Sequence, residues 1–254
     1  MIKINNISYR IKNNIIINNI SLDIKLGQLV SIIGPNGAGK STLANIIAGI
    51  IKADSGNITI HNKDIVTINK KEKAKIISYV PQQLSYSVAD FTVEDFVATG
   101  RYPYLDYFGT ITKEHLDKIH YYMNLTNIYH LKERHISTLS GGERQKVNIA
   151  AALCQEAEYI LLDEITSFLD PKAKYEINNL LVKLNQENKY SIILITHDLN
   201  YALAVNSSFI CIKKGKLFAY AESREMVENN IFSNLFDMEF IYLKKDNRVV
   251  IVPK

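Results

Sequence analysis

Tryptophan is absent from this chain of 254 residues, cysteine occurs twice and proline five times. The two thiols, Cys154 and Cys211, lie far apart in the apolar strings AALCQE and FICIKK. That setting reads as two buried free thiols and argues against a disulfide framework or a cysteine metal centre. Long apolar runs are also missing. No uninterrupted stretch approaches the roughly 20 residues that a membrane-spanning helix requires, and the opening MIKINNISYR has no apolar signal core. The expectation is a soluble chain that stays on the cytoplasmic side. Nor is there a large excess of one charge: the formal net charge is +4, and the lysines are dispersed among Asn and Glu without a basic block, so nothing calls for nucleic acid. With 47% hydrophobic residues and no internal repeat or low-complexity linker, the chain suits one large α/β domain or a core with a smaller appended subdomain.

What is present is an alternation of strand and helix patterns. Residues 2–11 and 15–24 are β-branched and roughly alternating, parted by the turn-prone Lys12-Asn13-Asn14, and read as strands. A continuous apolar run over 29–33 fits a buried strand entering a glycine loop, and 41–51 has helical spacing weakened towards its end by Gly49. From about 89 to 136 the texture turns helical around a loop at 100–104, which reads as a helical insertion beside the core. The alternation resumes with a helix over 142–155, a strand over 159–162, a helix over 172–187, a strand over 191–196 and a helix over 199–205. Such repetition predicts a mostly parallel sheet covered by helices. A hairpin over 209–221 about Lys214-Gly215, a helix near 223–230 and a pair of strands about Asp246-Asn247 close the chain.

Three motifs carry chemistry. Gly34-Pro35-Asn36-Gly37-Ala38-Gly39-Lys40-Ser41 matches GxxxxGK[ST], whose glycines let backbone N–H groups turn around phosphates at a helix start. Lys40 would neutralise β- and γ-phosphate charge and the Ser41 hydroxyl would ligate Mg2+. Ile160-Leu161-Leu162-Asp163-Glu164 is an apolar strand ending in two acids. Asp163 would hold the magnesium and Glu164 would polarise an attacking water as general base; on spacing alone the same pair also reads as a helix N-cap with a first-turn Glu. Ser140-Gly141-Gly142 opens a long helix, and its hydroxyl, amides and dipole form a second anion site, although such a start is more often only a cap.

Taken in order, the phosphate loop, Leu139-Ser140-Gly141-Gly142-Glu143 and Asp163-Glu164 resemble the ATPase subunits of ABC transporters, and the resemblance covers nearly the whole chain. It implies an α/β P-loop ATPase core with an N-terminal antiparallel β subdomain and an inserted helical subdomain at about 89–156, all within one domain over 1–254. It also implies ATP and Mg2+ as cofactors, with nucleotide held by Tyr9, the loop Gly34 to Ser41, Thr42, Gln82, Ser140, Gly141, Gly142 and Asp163, and metal held by Ser41, Gln82 and Asp163. The family's signature segment contacts the γ-phosphate of ATP on the opposite subunit, so two chains make a working site and a homodimer is implied. His197, after the strand at 192–196, matches the family's switch histidine. Gln82 in Tyr79-Val80-Pro81-Gln82 matches the glutamine that senses Mg2+, with Gln83 its neighbouring competitor, and Tyr9 stands where the family stacks an aromatic ring on adenine. Ser167-Phe168-Leu169-Asp170 resembles the loop that crosses the dimer interface, but Ile165 stands where the family usually has proline, which loosens that loop without removing a phosphate ligand.

The stretch Phe91-Thr92-Val93-Glu94-Asp95-Phe96-Val97-Ala98-Thr99-Gly100-Arg101-Tyr102-Pro103-Tyr104 looks like the corresponding segment of the iron-siderophore, haem and vitamin B12 import ATPases, and His197-Asp198-Leu199-Asn200 fits the same group. Zinc and manganese importers share part of the pattern. The resemblance therefore implies a bacterial importer, most of all for ferric siderophores, with an integral membrane permease as direct partner, a solute-binding protein as indirect partner, and a peripheral position on the cytoplasmic face of the cell membrane. The surface of the helical insertion, including Arg101 to Tyr104, is expected to face the permease. Two other classes fit less well. A GTPase switch needs NKxD, and Asn62-Lys63-Asp64 lacks the spacer; a non-transport ABC protein typically carries a long coiled coil or two cassettes, and this chain has neither.

Overall fold

The computed structural model describes residues 1–82, 91–167, 169–205, 208–245 and 248–254. In chain order the strands and α-helices are β1 (Ile2–Ile11), β2 (Asn14–Ile24), β3 (Leu29–Ile33), α1 (Lys40–Ile47), β4 (Ser55–Ile60), β5 (Lys63–Asp64), α2 (Lys70–Ile76), β6 (Ile77–Val80), α3 (Val93–Ala98), α4 (Lys113–Leu125), α5 (Gly141–Cys154), β7 (Tyr159–Asp163), α6 (Pro171–Gln186), β8 (Ser191–Ile195), α7 (Leu199–Ala204), β9 (Ser208–Lys213), β10 (Lys216–Glu222), α8 (Ser223–Glu228), α9 (Ile231–Phe236), β11 (Phe240–Lys245) and β12 (Arg248–Pro253). No helix among the described residues is long and apolar enough to cross a membrane.

The chain divides into two compact units, one formed by Met1–Ile68 with Leu181–Lys254 and the other by Asn69–Leu180. In the first, β2, β1, β4 and β5 form an antiparallel sheet in that order. A second layer centres on β3, which pairs in parallel with both β8 and β9, while β10 returns antiparallel on β9. All five residues of β3 and all five of β8 are buried, which is why these strands are apolar apart from Ser31 and Ser191. Each fully buried Val or Ile contributes about 1.5–3 kcal/mol. Behind β9 lies a cluster of Ile33, Ala202, Phe209, Cys211, Met226, Val227, Phe232, Leu235 and Ile251, with the Phe209 and Phe232 rings edge to face at 5.4 Å.

The second unit joins the parallel pair β6–β7 to the helices of the insertion. Its helices start at side-chain caps: Asn69 accepts from the Glu72 N–H at 2.9 Å, and Thr92, Thr112 and Ser140 each form a capping box with Asp95, His115 and Glu143 respectively. Along α4 the buried positions Ile119, Tyr122 and Met123 follow helical spacing. Helix α6 begins with Pro171, while the Asp170 carboxylate accepts from the Ala173 N–H at 2.9 Å, an N-cap followed by proline at the first helical position.

Several expectations are corrected. Helix α1 ends at Ile47 and does not reach residue 51. Gly49, at φ 66°, donates to the Ile46 carbonyl at 3.0 Å while the Ile50 N–H reaches Asn45 O at 2.9 Å, a Schellman closure that only a left-handed residue makes without strain. The loop expected at 100–104 is a 3-10 helix, Thr99–Tyr104. Strands β4, β5 and β6 and helices α2 and α9 carry no counterpart in the sequence reading. Both thiols are free and buried as expected, and burial pushes each up to about 12, which leaves them unreactive. Residues 89–90 at the expected start of the insertion, Gln83, Phe168 and the turn at 246–247 lie outside the described residues.

Candidate active site

In the first unit, the buried strand β3 delivers the chain to Gly34, where a Cβ would sit 2.0 Å from the Ile212 carbonyl oxygen; no other residue fits. The loop then folds on itself, the Ala38 N–H donating to Pro35 O at 3.1 Å. The turn between β9 and β10 supports it from outside, because the Gly215 N–H donates to Ala38 O at 3.2 Å and the Gly215 carbonyl accepts from the Asn18 N–H at 2.8 Å. Lys40, 7% exposed, turns its ammonium back over the loop to Gly34 O at 2.9 Å and Pro35 O at 3.1 Å. Helix α1 starts behind Gly39, which offers it no side-chain cap. Ser41 is exposed and Thr42 half-buried. The unit therefore presents a helix start without a side-chain cap, a lysine and a hydroxyl on one tight loop, which fits a polyphosphate.

Tyr9 and His197 flank this loop within the same unit. Tyr9 is half-buried and pairs across the sheet with Ile17, whose Cδ1 lies where a Cβ on Gly39 would meet it at 2.8 Å. His197 is exposed directly after β8. The pairing of Ile32 with Ile195 and the bond from the Thr196 N–H to Ile32 O at 3.3 Å set it beside the strand end from which the loop springs.

In the second unit, β7 is buried along its whole length and ends in Asp163, 3% exposed. The Tyr79 hydroxyl donates to Asp163 Oδ2 at 3.2 Å. Burial first, then the Asp163 charge and this bond, push the Tyr79 hydroxyl far above its ordinary value. The next residue, Glu164, takes a left-handed conformation at φ 49°, a strained backbone of the kind that collects at functional sites. Parallel pairing of Val80 with Leu162 brings the strand ends level, and two residues on the Gln82 amide donates to Glu164 Oε2 at 2.6 Å. The Ser167 hydroxyl donates to the same oxygen at 3.2 Å. Neither contact was legible from the motifs, since both depend on strand register and loop return. The reading of Asp163-Glu164 as a helix cap fails: the following helix starts at Pro171 and takes Asp170 as its cap.

The signature segment is a cap as well as a candidate anion site. The Ser140 hydroxyl accepts from the Glu143 N–H at 3.3 Å and donates to Glu143 Oε2 at 2.8 Å, and the Ser140 N–H donates to the same carboxylate oxygen at 2.8 Å. The Ser140 backbone bond, then its hydroxyl, hold the Glu143 carboxyl below the usual range against a small opposing effect of burial, and Arg134 adds to this at 3.8 Å. A Cβ on Gly142 would come within 2.9 Å of Ala173 Cβ, and one on Gly141 within 3.4 Å of Leu169 Cδ2, so the glycines let α5 start close against the start of α6.

One expected surface is not a surface. Arg101 is 1% exposed; its guanidinium donates to Cys154 O at 2.8 Å and Glu156 Oε2 at 2.9 Å and lies 4.0 Å from the Tyr104 ring centroid. Lys118 reaches the same Glu156 oxygen at 2.9 Å. Burial would raise the Glu156 carboxyl, but these two cations hold it below its ordinary value. The Gly-Arg-Tyr-Pro-Tyr run is thus an internal brace, and of its residues Tyr102, at 70%, is the one turned outward. Ile165, in place of the expected proline, is buried at 3%.

Among the described residues no group of three or more His, Cys, Asp and Glu side chains could hold a metal ion. The Ser41 hydroxyl in the first unit, and the Asp163 carboxylate and Gln82 amide oxygen in the second, are hard oxygen donors of the kind Mg2+ takes.

A model of the ABC transporter family matches residues 17–167. The petrobactin import ATP-binding protein FpuC of Bacillus anthracis is 33% identical over 254 residues, all of this chain and 93% of its own length. The iron(3+)-hydroxamate import ATP-binding protein FhuC of Bacillus subtilis is 33% identical over 240 residues, 94% of this chain and 89% of its own. Among solved structures, a chain of an ABC transporter assigned to the metal-chelate type, in an inward-facing conformation, matches with a TM-score of 0.86 at 25% identity, covering 100% of this chain and 96% of that one. The family match spans the phosphate loop, the capped helix α5 and the acid-tipped strand β7, and the chain belongs to the ABC transporter family, among its ATP-binding subunits.

Proposed function

We propose that this chain hydrolyses ATP as the nucleotide-binding subunit of a bacterial importer of ferric siderophores, working as a homodimer on the cytoplasmic face of the membrane beneath an integral permease. The whole of 1–254 acts as one cassette, with the helical insertion at about 89–156. The observation that carries the chemistry is Glu164: a carboxylate on a strained residue, one step past a buried aspartate, with donors from Gln82 and Ser167 on one oxygen. Those donors fix the orientation of the carboxylate, which takes a proton from water as general base. Lys40 and the amides at the start of α1 take the β- and γ-phosphates, Tyr9 stacks on the adenine, and His197 contacts the γ-phosphate. Ser41, Asp163 and Gln82 would hold Mg2+, which supplies charge neutralisation on the phosphates. Ser140, Gly141 and Gly142 meet the γ-phosphate of ATP bound to the second subunit. The iron-chelate cargo is supported by the full-length likeness to importers of petrobactin and iron(3+)-hydroxamate; it is delivered by a solute-binding protein to the permease and never touches this chain.

Glu164→Gln tests the assignment. Removal of the base lowers turnover by about 10²–10⁴-fold while nucleotide binding persists, because the phosphate loop is untouched. Turnover close to that of the unaltered protein in a phosphate-release assay overturns the role given to Glu164.

A further inference from the structure

His197 is followed at once by α7, a helix of six residues, far too short to be stable by its own hydrogen bonds. Strand β8 fixes where His197 leaves the sheet, and the hold on α7 fixes the chain on its other side. On the near side, the Asp198 N–H donates to Thr196 Oγ1 at 3.1 Å and Asp198 Oδ1 accepts from the Tyr201 N–H at 3.0 Å, which caps the helix. On the far side the anchor is the C-terminal hairpin. The Asn200 amide Nδ2 donates to Ile251 O at 3.0 Å, and the Ile251 N–H donates to Asn200 Oδ1 at 2.7 Å. Ile251 faces Tyr242 across the hairpin, so Asn200 occupies the edge of β12 in the way the peptide of a neighbouring strand would. Ile251 is buried in the cluster that holds Ala202, and Leu199, Leu203, Phe240 and Tyr242 pack against it. The hairpin thus grips α7 by a polar pair and an apolar face together.

We propose that Asn200 is a positioning residue for His197, and that the C-terminal hairpin β11–β12, held by it, sets the orientation of α7 and with it the histidine's approach to the nucleotide. The proposal rests on the reading of His197 as the γ-phosphate contact. An amide suits the position because it offers one donor and one acceptor in a plane, as a backbone peptide does; aspartate keeps the acceptor alone and alanine keeps neither.

The experiment is steady-state ATPase kinetics of the full chain with a parallel fluorescent-nucleotide titration, on Asn200→Ala, His197→Ala and the double variant. Asn200→Ala is expected to lower kcat by about tenfold with nucleotide Kd within about twofold, and the double variant to be no slower than His197→Ala, because Asn200 acts through the histidine. A kcat unchanged in Asn200→Ala while His197→Ala is slow overturns the proposal, and so do losses that multiply in the double variant. If Asn200→Ala loses nucleotide binding as well, Asn200→Asp decides. A lower kcat with binding kept supports the proposal, whereas unchanged kcat, or joint loss of both, refutes it. A normal rate in His197→Ala is a different failure, that of the histidine's own assignment.

Discussion

Two helices in this chain begin at glycine-rich entries, and their first turns are capped in opposite ways. Helix α1 starts behind Gly39 with no side-chain cap, so its opening amides have no partner from that residue. Helix α5 starts behind Ser140 with a closed capping box, the Ser140 hydroxyl and N–H both donating to the Glu143 carboxylate. A helix N-terminus is an anion site only so far as the chain has not already satisfied it. By that measure α1 would receive phosphate in a single chain, whereas α5 would have to exchange Ser140's donors from Glu143 to phosphate before it contributes. The difference gives a physical reason for a site completed across two subunits: the second half engages when a strong anion is brought to it.

Three substitutions separate the halves. Lys40→Ala removes the ammonium that lies over the loop and is expected to weaken nucleotide binding by about 10- to 100-fold for one charge-assisted contact; an unchanged affinity in a fluorescent-nucleotide titration breaks the assignment of α1. Tyr9→Ala is expected to cost roughly 1–3 kcal/mol of binding, and about equally for each base because stacking reads a π-face. Wild-type affinity returns Tyr9 to strand packing. Ser140→Ala has the smallest effect on the single chain: loss of about 1 kcal/mol of stability with the cap, seen in a denaturant midpoint, and no change in nucleotide affinity. A fall in the single chain's affinity would put α5 on the same footing as α1.

Contiguous parts of the site are legible in the sequence, the start of α5 at Ser140-Gly141-Gly142 among them. The β3 run, the phosphate loop and the start of α1 are contiguous, so composition and order reveal them together, and the same holds for β7 with Asp163-Glu164 and for the β9–β10 hairpin. What stayed hidden depends on partners far along the chain. The bond from Gln82 to Glu164 follows from the register of β6 on β7. The burial of Arg101 is paid for by Cys154 O and Glu156, more than fifty residues on, and a charged residue in a tyrosine-rich stretch reads as surface until those partners are known. The stretch from β4 to β6 carries little internal pattern: α2 has no buried residue, and β5 is two residues long. Helix α1 ends at 47 and not at 51, and the sequence hides this because Ile50 and Ile51 continue the apolar pattern past the Gly49 stop.

The most direct measurement of the central claim is the mass in solution, by light scattering, of Glu164→Gln with saturating ATP and Mg2+, alone and combined with Ser140→Ala. The account predicts a dimer for Glu164→Gln, and a monomer that still binds nucleotide once Ser140→Ala is added. A monomer for Glu164→Gln under these conditions, or a dimer formed as readily without the Ser140 hydroxyl, contradicts it.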